Sequence, residues 1–164
     1  MATNFSPSIN IIRDADKEIP YIPTSNTRQI SQQIVNDYKI GIRSFNIIGS
    51  YGTGKSAFLL AFEKNLNGKR QDFGSLNGHF GKSERFECWN IVGEYDSLVE
   101  SVARSPRLNV NASNAQPVLN AIDRYYQGIQ EQNACLVIVI DEFGKFLEYA
   151  ASNTPEKELY FIQQ

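Results

Sequence analysis

Few strings of residues leave a chain as little freedom as Gly49-Ser50-Tyr51-Gly52-Thr53-Gly54-Lys55-Ser56. Glycine, four residues, then Gly-Lys-Ser is the Walker A pattern. Its surroundings agree with it. Phe45-Asn46-Ile47-Ile48 reads as a short buried strand, and residues 56–66 read as a helix with Phe58, Ala61, Phe62 and Leu66 on one face. The expected local structure is therefore strand, glycine-rich turn, helix.

That arrangement suits a triphosphate. Its oxygens need several backbone N–H groups at once, so the loop is rich in glycine, which tolerates unusual φ and allows close approach. The helix that follows adds its unpaired N–H groups and the positive end of its dipole. Gly49, Ser50, Tyr51, Gly52, Thr53, Gly54, Lys55, Ser56 and Ala57 are the candidate nucleotide-binding residues. Lys55 is placed to reach the β- and γ-phosphates of ATP, and the Ser56 hydroxyl to ligate Mg²⁺.

A second Gly-Lys-Ser, at Gly81-Lys82-Ser83, tests this reading. The position five before Gly81 is Leu76, and no apolar strand precedes it. Residues 65–85 are polar and glycine-rich and read as a surface loop. His79, the only histidine, has no acid, cysteine or second histidine near it in sequence to build a metal site or triad.

With 164 residues, one domain is the default. A net charge of −2 gives no basic footprint of the kind nucleic-acid binders show, so DNA or RNA contact has no support from charge. The apolar run at residues 134–140 is too short to span a bilayer, and the first residues lack the charged and apolar regions of a signal peptide. Cys88 and Cys135 fall in predicted buried strands without metal-type spacing, which points to reduced core thiols in a cytoplasmic protein.

Residues 1–20 read as an extended leader, and residues 21–164 as the ATP-binding domain. A helix is expected over 26–39, capped by Thr24 or Ser25, with Ile30, Ile34 and Tyr38 as its stripe and Gly41 as its stop. Residues 86–92 read as a second strand. After Gly93-Glu94 comes a helix carrying Leu98, Val99 and Val102, which ends at Ser105-Pro106. A long helix has Pro117 in its first turn, with Ala115, Val118, Leu119, Ile122, Tyr125, Tyr126 and Ile129 at helical spacing.

Cys135-Leu136-Val137-Ile138-Val139-Ile140-Asp141-Glu142 is the second informative motif, an aliphatic strand closed by two acids: the Walker B pattern. The unbroken apolar run predicts a parallel strand buried on both faces. Ligands of open α/β sheets sit at the carboxyl ends of strands, which places Asp141 by the phosphate loop as a Mg²⁺ ligand. Glu142 is placed to polarise the attacking water. Glu94, after the other strand, is the rival; an acid at a helix start is also explained by the helix dipole. The Phe143-Gly144 that follows does not indicate a protein kinase, whose triplet has no residue between Asp and Phe. Beyond it, helices are expected from Gly144 to Tyr149 and again after a Thr154 cap and Pro155, with Glu156 and Glu158 in the first turn.

With both motifs placed, the chain resembles the additional-strand, catalytic-glutamate class of P-loop ATPases. Its two motifs are most similar to those of AAA+ and STAND-type ATPases, including large bacterial ATPases of phage defence. The resemblance covers residues 20–164. It implies an α/β fold, a three-layer α/β/α sandwich around a mostly parallel sheet, and ATP with Mg²⁺ as ligands. Gly49, Gly52, Gly54, Lys55 and Ser56 would bind nucleotide and metal, with Asp141 and Glu142 at the Walker B positions and Lys55 and Glu142 catalytic.

Such ATPases often use the segment before the first strand in the base pocket; Tyr21-Ile22-Pro23 is read either that way or as plain packing. The expected sensor strand, arginine finger and helical lid are not recognisable, so the chain is expected to be an N-terminal part of a longer ATPase. Its partners are then ATP and ADP, and further copies or other subunits bound through the missing regions. A nucleotide-gated switch with little turnover is the alternative, a RecA-like nucleic-acid motor a weaker one. The adjacent Asp-Glu argues against a small-molecule kinase, and the lack of a Leu-Ser-Gly-Gly-Gln-like signature against an ABC ATPase.

Overall fold

The computed structural model describes residues 8–76, 78–81, 83, 85–111, 114–153 and 155–164. The expectations for Lys82 of the second Gly-Lys-Ser and for the Thr154 cap lie outside them. The chain is mixed α/β: among the described residues, six helices and two strands that pair as a small parallel sheet. It divides into two compact units, residues 1–88 and 89–164.

In the first unit, α1 (Ser25–Lys39) starts where Thr24 accepts a hydrogen bond from the Thr27 N–H at 3.2 Å. Its buried line is Ser31 and Val35, with Ile30, Ile34 and Tyr38 half-buried beside it. Helix α2 (Lys55–Leu66) buries Phe58, Leu60, Ala61 and Leu66. Phe58 and Phe62 pack on Phe73, and Phe62 also meets the edge of Phe80. The segment read as a polar surface loop is thus anchored in part, with Leu76 and Phe80 buried and His79 exposed. Buried Asn65 holds its other end. It donates to Gly74 O at 2.8 Å and accepts from the Asp72 N–H at 2.7 Å.

Residues 8–20 are not extended throughout, as they form hydrogen-bonded turns over 11–16. Asp14 organises them, accepting from Arg13, the Asn10 N–H and Lys17. The Arg13 guanidinium, then the Asn10 N–H and the Lys17 ammonium, hold its carboxyl well below the usual carboxylate range. Arg70 ties the leader down by donating to Ile19 O at 2.6 Å.

The expected strand at residues 45–48 has not formed. These residues belong to no ladder, and Ile48 is 95% exposed. Backbone extended by its own side-chain pattern becomes a strand only when a neighbour accepts its hydrogen bonds. Among the described residues the sheet consists of β1 (Arg85–Val92) and β2 (Ala134–Asp141).

In the second unit, α3 (Leu98–Ala103), α4 (Ala115–Glu131), α5 (Gly144–Ser152) and α6 (Pro155–Gln163) share one core. Trp89, Ile91, Leu98, Val99, Val102, Val118, Phe146 and Phe161 form its centre. Burial on both faces was expected of β2, yet Ile138 is 44% exposed and its face-mates Leu136 and Ile140 are half-buried, so that face is only partly covered. Tyr126 likewise stands out of the α4 stripe into solvent. Glu158 lies in the first turn of α6 as expected, but is only 1% exposed. Its carboxylate accepts from the Ser97 hydroxyl and, at 3.2 Å, from the Val99 N–H, so it caps α3 from a different helix.

Candidate functional site

The sequence-predicted residues lie in two groups, one in each unit. The first is the loop at residues 49–54 with the first turn of α2. Gly52 and Gly54 have φ of +77° and +83°, the left-handed region that only glycine enters without cost. These two residues fold the loop back over the helix start. Gly54 ends it as the residue capping α2, with no side chain in the cap position.

Lys55 shapes the loop from inside. Its Nζ donates to Gly49 O at 2.8 Å and to Ser50 O at 2.7 Å. The Thr53 hydroxyl donates to Ser50 O at 2.8 Å. The first intrahelical bond is from Phe58 N–H to Gly54 O, 2.9 Å. The N–H groups of Lys55, Ser56 and Ala57 precede it and have no acceptor within the helix. Ser56 and Ala57 are half-buried, whereas Tyr51 is 94% exposed at the loop tip.

The second group sits at the carboxyl end of β2. Asp141 is 7% exposed and its Oδ1 accepts from the Glu142 N–H at 2.9 Å. Glu142 has φ of +54°, an uncommon conformation for a residue with a side chain. Its carboxylate is half-exposed and ion-paired with Lys145, one helical turn on. The other candidate, Glu94, is exposed just beyond β1, on a segment whose Gly93 N–H donates to Asp141 O at 2.8 Å. The structure therefore gathers Asp141, Glu142 and the segment carrying Glu94 at one end of the sheet.

The sequence reading missed Lys145 and Gly93. Acid and base three apart at a helix start is a recognisable sign of the first. Gly93, taken as a plain turn glycine, had no such local sign.

Among the described residues no group of three or more His, Cys, Asp and Glu could hold a metal ion. Mg²⁺ does not require one, since it takes one or two protein oxygens and fills its other positions with phosphate and water. A hydroxyl and a carboxylate, Ser56 and Asp141, are the right donor types. Residues Tyr21 to Pro23 divide: Tyr21 packs edge-on against Phe73 at 5.7 Å, while Ile22 is exposed. An open groove of about 400 Å³ lies elsewhere, lined in part by Lys64, Lys69 and Arg70. Lys64 and Arg70 are already spent on the leader's carbonyl oxygens, of Lys17 and of Ile19.

No described helix is long and apolar enough to cross a membrane. In comparisons with known proteins the chain matches no family, no curated protein and no solved structure.

Proposed function

We propose that the chain is the Mg²⁺-dependent, ATP-binding and ATP-hydrolysing module of an AAA+/STAND-like P-loop protein, built on a three-layer α/β/α sandwich. The observation that carries this reading is the loop: two left-handed glycines, a lysine folded onto the loop's own carbonyl oxygens, and a helix start with free N–H groups. Phosphate oxygens are stronger acceptors for an ammonium than neutral carbonyls, so Lys55 exchanges Gly49 O and Ser50 O for the β- and γ-phosphates. The N–H groups at 55–57 receive the remaining phosphate charge.

Ser56 and Asp141 would hold Mg²⁺, which supplies charge neutralisation at the phosphates when bound. Glu142 takes the proton of the attacking water. The water oxygen bonds to the γ-phosphorus, and the bond from that phosphorus to the bridging oxygen breaks. ADP and free phosphate leave. ATP and ADP are the ligands; further copies or other subunits and a role in bacterial antiviral defence follow from the family resemblance alone, and a cytoplasmic setting from the reduced thiols expected of Cys88 and Cys135.

One observation favours a slower device. Glu142 is paired with Lys145, which competes with water for its carboxylate. A nucleotide-gated switch that binds ATP and turns over rarely is therefore the second reading.

Phosphate release by the full-length protein, with and without candidate partners, separates the readings. The first expects phosphate and ADP in equal amounts, growing with time and abolished by chelation of Mg²⁺. Tight binding in calorimetry with turnover near zero selects the switch. Absence of ATP binding overturns both.

A further inference from the structure

The ends of β1 and β2 meet through backbone alone. Gly93 N–H donates to Asp141 O, and the two chains are so close that a side chain at 93 has no room. A Cβ placed there would be 2.8 Å from the Glu142 carbonyl carbon, 3.2 Å from Asp141 O, and closer still to Glu142 O. These are backbone atoms, so no change of rotamer relieves the clash. Gly93 does not have a left-handed φ, so close approach, not conformation, is what demands glycine here.

What it approaches is the one strained residue of the site. A left-handed φ costs a residue with a Cβ roughly 1–2 kcal/mol, and such strain persists where the surroundings over-determine it. The segment beyond Gly93 is firmly held. Tyr95 meets the Tyr149 ring edge-on at 5.5 Å, the Asp96 N–H donates to Glu94 O at 2.8 Å, and the buried Ser97 hydroxyl is bound by Glu158. The segment after β1 is thus tied to α5 through Tyr149 and to α6 through Glu158.

We infer that Gly93 is a positioning residue for Glu142. By lacking a side chain it lets the end of β1 brace the Asp141–Glu142 backbone, which keeps Glu142 left-handed and so sets the direction of its carboxylate. The consequence for turnover rests on the ATPase reading; the backbone relation rests on geometry.

Gly93→Ala in the intact chain is the test, with two readouts. In turnover, kcat falls at least tenfold while KM for ATP and calorimetric ATP affinity stay within about threefold, because the phosphate loop is untouched. In stability, Gly93→Ala lowers Tm by several degrees, and the same change made in a Glu142→Gly background lowers it by less than half as much. Glycine at 142 lets that backbone shift to admit the new Cβ. Equal Tm losses in the two backgrounds overturn the inference, as does an unchanged kcat in folded Gly93→Ala. If Gly93→Ala alone does not fold, recovery of folding in the double variant supports it, and failure of both overturns it. A parent chain without ATP binding sinks the functional reading, and the stability coupling then decides the role of Gly93 by itself.

Discussion

Lys55→Ala is expected to lose at least about a hundredfold in ATP affinity, equivalent to roughly 2.7 kcal/mol. Two contributions add. The phosphates lose their main side-chain counter-ion, and charge-assisted hydrogen bonds are about twice as strong as neutral ones. The loop also loses the internal tie from Nζ to Gly49 O and Ser50 O that holds it curved before any ligand arrives. Folding should change little, because the helix beyond is held by Phe58, Leu60, Ala61 and Leu66. Calorimetric titration of a variant with wild-type circular dichroism decides the matter. Unchanged affinity would remove the loop at 49–57 from consideration.

In the full-length protein, Glu142→Gln should keep ATP binding and lose hydrolysis by about a hundredfold or more, the usual scale of general-base catalysis. Glutamine keeps the size and left-handed backbone of Glu142 but can neither take a proton nor pair with Lys145. Glu94→Gln should alter the rate little, since Glu94 is exposed on the segment beyond β1 and Asp141 adjoins Glu142 directly. Single-turnover rates with Mg²⁺ and ATP compare the two. A large loss in Glu94→Gln with Glu142→Gln near normal would instead favour a RecA-like arrangement.

Local signals were read correctly where local physics decides. Thr24 caps α1 because a hydroxyl reaches an N–H three residues on, and Pro117 sits in the first turn of α4, where a missing N–H does no harm. The glycine–lysine motif runs into the start of α2 and the aliphatic run closes β2 at Asp141, although the strand expected before the glycines is absent. What failed needed a partner that is remote in sequence. Residues 45–48 have a strand's side chains but no ladder, and Ile138 lies on a face of β2 that is only partly covered.

No local signal marks Glu158 as a buried cap, because its partners, Ser97 and the Val99 N–H, are some sixty residues away in sequence. At the site, the positions of Glu94, Asp141 and Glu142 at the strand ends were legible, and the backbone state of Glu142 was not. That state depends on Gly93, whose role appears only when two strand ends are set side by side.

The bare ribbon at residues 45–48 has one more consequence, for how the chain behaves in a tube. Unpaired N–H and C=O groups flanked by an almost fully exposed isoleucine form an adhesive edge, the kind that recruits other edges into growing cross-strand stacks. A net charge of only −2 provides little repulsion to keep molecules apart. Concentrated stocks should therefore cloud with time, and a charged residue in place of Ile48 should slow the clouding without touching the lysine and glycines that follow.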